Sequence, residues 1–107
     1  MSIASEYNRL LDERKKIEDI DDWDNTPVIK EMIKLFTSNM NETIEFIETE
    51  CTAEQFSWLS EIFDDIARAS NSKAFIKALR CTAKKYPQTT KKYNIEYFID
   101  CAEEQIQ

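Results

Sequence analysis

TAEQFSWLSEIFDDIARAS, Thr52 to Ser70, is the stretch whose reading decides the fold. Thr52 has N-cap chemistry and Gln55 follows three residues later, the spacing of a capping box. Beyond the cap, Phe56, Leu59, Phe63, Ile66 and Ala67 recur at helical spacing and make one apolar stripe, and Trp58, Ile62 and Ala69 make a second beside it. A helix apolar over so much of its circumference has to be covered from more than one side. The spacing therefore predicts one continuous helix at the centre of the core, with Trp58 turned inward. Its remaining face carries Glu61, Asp64 and Asp65, an acidic outer strip.

Working outward toward the C-terminus, Asn71-Ser72 ends this helix and caps the next, Lys73 to Tyr86. Its inward side is Phe75, Ile76, Leu79, Ala83 and Tyr86, with Ala74, Ala78 and Cys81 as small neighbours. Pro87 stops it, because the residue before a proline resists the helical region. A polar link, Gln88 to Lys92, leads to Asn94, the expected cap of a last helix that buries Ile95, Phe98, Ile99, Ala102 and Ile106.

Toward the N-terminus, Asn39 and Glu42 have capping-box spacing for a helix with Met40, Ile44, Ile47 and Cys51 inward and Phe46 nearby. Before that, Thr26-Pro27 opens a helix with proline in its first turn, burying Val28, Ile29, Met32, Ile33 and Phe36. Residues 2–18 form a first helix in which Ile3, Tyr7, Leu10, Leu11, Arg14 and Ile17 keep the 3.6 period. The run from Ile17 to Asn25 holds five acids, no base and Trp23. Aspartate favours caps and turns, so this run reads as a helix end and an acidic connection. The expectation is an all-α fold, a compact array of about six short antiparallel helices in one domain over residues 1–107.

Composition narrows the chemistry. The chain has 107 residues, a length suited to one core, and is 42% hydrophobic and 33% charged, a balance that fits a globular rather than a disordered chain. It contains no Gly, so it holds no glycine-rich phosphate loop or dinucleotide fingerprint, and β-hairpins lose their usual turn residue. It contains no His, the commonest general base and zinc ligand. Cys51, Cys81 and Cys101 are an odd, widely spaced set near apolar stripes and read as small buried hydrophobes in a reducing compartment. Three lone cysteines with no CxxC make no zinc site. No constellation of nucleophile, base and oxyanion donors is present, so no catalytic residue, metal or cofactor is expected. No apolar run approaches the roughly 20 residues that cross a bilayer, and the opening MSIASEYNRLLDERKK lacks a signal-peptide pattern. The expected location is the cytoplasm.

Charge is segregated along the chain. Glu42 to Asp65 holds eight acids and no base, and Ile66 to Lys92 holds eight bases and no acid, within a net charge of −7. One reading is of solvated helix faces whose opposite charges pair when helices pack. The other is an acidic surface presented to a basic partner, which steers encounter and repels nucleic acid. The basic stripe Lys73, Lys77, Arg80, Lys84 has helical spacing and reads as an outer face or an intramolecular counterweight. Trp23, among acids, is either a packing residue or an interface anchor. Tyr93 and Tyr97 fit a surface or a core edge equally well.

The strings AEQFSWLSEIFDDIA, SKAFIKALRCTAKKYP and YNIEYFIDCA, spanning residues 53–102, resemble the small α-helical cytoplasmic immunity proteins of contact-dependent growth inhibition and related polymorphic toxin systems. The resemblance lies mostly in core and capping residues. It implies a protein that binds a bacterial toxin domain, often a nuclease, and covers its active site or substrate surface. The acidic balance suits the basic cleft of such a domain. The expected contact residues are Asp21, Asp22, Trp23 and Asp24 with Glu61, Asp64 and Asp65. The alternatives are a small intracellular helical adaptor or regulator, and an acidic nucleic-acid mimic of phage origin.

Overall fold

A computed structural model describes residues 2–18 and 26–107. Among them run eight α-helices: α1 (Ile3–Glu18), α2 (Thr26–Ser38), α3 (Met40–Thr49), α4 (Ala53–Leu59), α5 (Phe63–Ser70), α6 (Lys73–Lys85), α7 (Pro87–Lys92) and α8 (Ile95–Glu104). One 3-10 turn, Ser60–Ile62, lies between α4 and α5, and the described residues contain no strand. The all-α expectation holds; the number of elements is larger than six.

The helix expected from Thr52 to Ser70 is broken. Buried Ser60 donates its hydroxyl to the Ser57 carbonyl at 2.6 Å. A serine hydroxyl inside a helix competes for backbone acceptors and tightens the turn. Ile62 then leaves helical geometry at φ −120°, ψ 13°, and α5 restarts at Phe63. The main stripe survives the break: Phe56, Leu59, Phe63, Ile66 and Ala67 are all fully buried. The second stripe does not, since Ala69 is exposed and Trp58 only partly buried.

Pro87 ends α6 and also begins α7, so the expected polar link is a short helix. Proline lacks the N–H that a first-turn position leaves unpaired anyway, so the same residue serves both ends. Asn94 precedes α8 in the left-handed region, φ 54°, and makes no side-chain capping bond. Asn71 adopts the same region, φ 49°, closes α5 through its N–H to the Ala67 carbonyl at 2.7 Å, and accepts the Gln107 N–H on Oδ1 at 2.8 Å. With no glycine in the chain, asparagine takes the two left-handed positions seen here. Ser72 caps α6 by accepting the Phe75 N–H, as its position predicts.

The buried apolar residues form one cluster. Two aromatic groups sit in it. Tyr7 sets its ring edge-on to Phe36 at 5.0 Å and to Phe46 at 5.9 Å, and Phe63 lies between Phe56 and Phe75. The inward face of α3 is centred on Thr43, Phe46 and Ile47 rather than on Met40 and Ile44. Thr43 is buried because its hydroxyl donates to the Phe36 carbonyl at 2.7 Å, in the last turn of α2. In the assembled array, α5 lies on α8, α1 on α2, and α6 bridges α3 and α8. The radius of gyration, 13.1 Å, is that of a close-packed chain of this length. No helix of the described residues is long and apolar enough to cross a membrane.

The cysteines divide. Cys51 is buried, Cys101 half-buried, and Cys81 exposed on α6, outside the role of small core residue expected for it. Burial pushes the Cys51 thiol up to about 12, against a weaker pull from Lys85. A thiol reagent near pH 8 is expected to modify Cys81 first and to reach Cys51 only after denaturant is added, since the thiolate is the reacting form. Mass mapping of the labelled peptides over time reads this order directly.

Candidate partner-binding surface

The surface is built on the start of α4. Thr52 Oγ1 accepts the Gln55 N–H at 3.1 Å and Gln55 Oε1 accepts the Thr52 N–H at 2.9 Å, the reciprocal capping box its sequence implies. Gln55 also ties α4 to α1. Its Nε2 donates to Asn8 Oδ1 at 2.7 Å, and its carbonyl accepts the buried Tyr7 hydroxyl at 2.8 Å. With its first turn fixed this way, α4 presents Glu54, Ser57 and Trp58 along a line, and Glu61 continues it on the 3-10 turn.

Glu54, Ser57, Trp58 and Glu61, together with Tyr93 from the α7–α8 corner, line a cleft of about 390 Å³. Trp58 forms its aromatic wall. The Arg14 guanidinium stands 5.3 Å from the indole centroid and the Lys15 ammonium 5.9 Å, both from α1. Such cation–π contacts are worth about 0.5–1 kcal/mol at exposed sites. The same two cations serve the acids. Arg14 reaches Glu61 at 3.4 Å, and Lys15 donates to Glu54, holding that carboxyl below its ordinary range. The Arg14 burial read from its place in the helical period is thus real, and its charge is answered from α4 and the 3-10 turn. The cleft is aromatic, with its charges largely compensated.

Beyond Tyr93 the aromatic character continues onto α8. Tyr93 is 47% exposed, Tyr97 57% and Phe98 37%, and the Tyr97 and Phe98 rings meet edge-to-face at 5.5 Å. Phe98 was expected inside. The buried set of α8 is Ile95, Ile99 and Ala102, an i, i+4, i+7 row that leaves Phe98 beside Tyr97 on the outside. The deciding sequence signal was therefore present for Tyr97, which falls off that row, and ambiguous for Phe98.

Of the acids expected at the interface, Glu61 lines the cleft. Asp64 and Asp65 lie on the first turn of α5 and do not line it. Asp64 Oδ1 accepts the Asp65 N–H at 3.0 Å, and Asp65 pairs with Arg68 at 3.4 Å. Partial burial, then the Asp64 charge, hold the Asp65 carboxyl above its ordinary value despite Arg68. Asp21, Asp22, Trp23 and Asp24 lie outside the described residues. No group of three or more Cys, Asp or Glu side chains suited to a metal ion occurs among the described residues. Compared with family models, with curated proteins and with solved structures, the chain matches none.

Proposed function

We propose that this chain is a protein-binding inhibitor, an immunity protein whose partner is a bacterial toxin domain, and that the partner docks on the face formed by Trp58, Tyr93, Tyr97 and Phe98. The observation that carries the binding half of this reading is the aromatic exposure itself. Scattered apolar residues on a surface are ordinary, but three large exposed aromatics fall within residues 93–98, and one of them, Tyr93, lines the cleft with Trp58, so side chains that dominate interface energetics are concentrated there. The toxin half rests on the resemblance of residues 53–102 and on the net charge of −7, which favours encounter with a basic domain. In this reading Glu61, Asp64 and Asp65, with Asp21, Asp22 and Asp24, supply acidic contacts, and Trp23 is an anchor among those acids. The function needs no catalysis, cofactor or metal of the chain's own.

The test is capture from the native cell lysate at low and high salt, with wild type beside Trp58→Ala and a Tyr97→Ser/Phe98→Ser double variant. One small basic domain is expected, retained above physiological salt by wild type and bound about tenfold more weakly by each variant. Reversing Asp64 and Asp65 to Lys should lower affinity and flatten its salt dependence. A single partner that has no toxic activity would keep the docking face and remove the immunity assignment. A scatter of basic proteins lost at modest salt, indifferent to all the variants, would remove both.

A further inference from the structure

On the α6 side of the molecule a second depression carries the opposite charge. Lys73, Lys77, Arg80 and Lys84 line a trough of about 600 Å³ together with Ile76, Cys81, Glu103 and Ile106. A second hollow of about 550 Å³ shares Lys84 and is also lined by Pro87, Thr90, Lys91 and Glu96. We infer that this trough is a docking site for an acidic amphipathic helix of a partner protein. The inference is independent of the aromatic face.

Three features select that occupant. The first is length: the four cations sit at i, i+4, i+7 and i+11 on α6, so they span about 16 Å along its axis. A small anion engages one or two of them and leaves the rest unexplained. A partner helix laid beside α6 for about three turns meets Lys73, Lys77 and Lys84 with carboxylates repeated along one of its faces. The second is the mixed lining. Buried Ile76 and half-buried Ile106, with the lysine stems alongside, offer an apolar seat beneath the charges. The third is that the trough already receives carboxylates. Asp100 and Glu103 of α8 reach Arg80 at 3.0 and 3.2 Å. Among the described residues no acid pairs with Lys73, Lys77 or Lys84, so these three remain for a ligand's acids.

Nucleic acid fits less well. Glu103 lines the trough, the chain carries −7, and no aromatic ring lines either hollow for bases to stack on.

The experiment is a fluorescence-anisotropy titration of the full chain with a labelled helical peptide of known composition, carrying one leucine stripe flanked by glutamates. Saturable binding is expected, weaker at about 500 mM salt than at about 50 mM. It should fall about tenfold or more in Lys73→Glu/Lys77→Glu/Lys84→Glu, and also when glutamine replaces the peptide's glutamates. Ile106→Ser should weaken binding without changing the salt dependence. If the triple variant melts early, Lys77→Gln carries the test, with about a threefold loss expected. Absence of saturation up to about 1 mM overturns the proposal. So does undiminished binding by the lysine variants, and so does a single-stranded RNA that binds more tightly than the peptide.

Discussion

Phe63→Ala is expected to lower the unfolding free energy by about 3–5 kcal/mol, the range for deleting a buried phenyl ring. The ring is fully buried and stands 5.4 Å from Phe56 on one side and 6.4 Å from Phe75 on the other. It therefore joins α4, α5 and α6. Phe63 is also the first residue after the 3-10 turn, just beyond Ile62, which leaves helical geometry. The cost of a cavity rises with the volume that stays empty, so a junction residue sits toward the upper end of the range. A domain of this size holds only about 5–15 kcal/mol in total. A loss of this order moves the thermal midpoint down by well over about 10 °C. Urea titration with an unchanged m-value reads the effect cleanly. Phe63→Leu, which keeps most of the volume, should cost less than about 1.5 kcal/mol. If Phe63→Ala costs no more than Phe63→Leu, α5 has closed over the gap and the ring does not hold the bend.

That bend marks the boundary of what the sequence reveals. The cap at Thr52, the serine cap of α6, the helix end at Asn71 and the stop at Pro87 are local events written in one to four residues, and each is present in the structure. The break at Ser60–Ile62 is not local. A serine in an apolar period looks like a tolerated polar residue until burial turns its hydroxyl back on Ser57. Residues 87–92 fail differently: proline's role as a helix start was legible and lost to its role as a stop. For α3 the period placed Ile44 inward, whereas the Thr43 hydroxyl found a carbonyl on α2 and rotated the helix toward Phe46.

The candidate surface follows the same division. Glu61 was legible as an exposed acid, but its cation, Arg14, lies 47 residues away, and no local pattern announces that pairing. Nor does any announce that Lys15 and Arg14 share one indole. The consequence is physical. A strip that looks acidic in sequence is partly neutralised in space, so in the proposed contact the aromatic residues carry more of the weight.

The contact between α3 and α6 supplies the second large effect. The last carbonyls of α3 have no partner within their own helix, as at any helix end. Phe46 O accepts the N–H groups of Glu50 and Cys51. Ile47 O accepts the buried Thr82 hydroxyl at 3.1 Å, Glu48 O accepts the Lys85 ammonium, and Cys51 O accepts the Tyr86 hydroxyl at 2.6 Å. Thr82, Lys85 and Tyr86 share one stretch of α6 and its cap, so three side chains of one segment satisfy the end of another helix. Thr82→Val keeps the shape and removes the donor, leaving the Ile47 carbonyl dry; about 1–3 kcal/mol is expected. Tyr86→Phe does the same to Cys51. The double variant should lose about 2–4 kcal/mol, with coupling between the two sites because both hold the same helix end. Thr82→Ser, which keeps the hydroxyl, should cost less than Thr82→Val. Native-state hydrogen exchange should show α3 amides opening at lower free energy than those of α5, since α3 loses its anchor while α5 keeps its packing on α8. Equal protection of α3 in wild type and the double variant would mean that apolar packing of Phe46 and Ile47 holds the helix and that the hydrogen bonds follow from it.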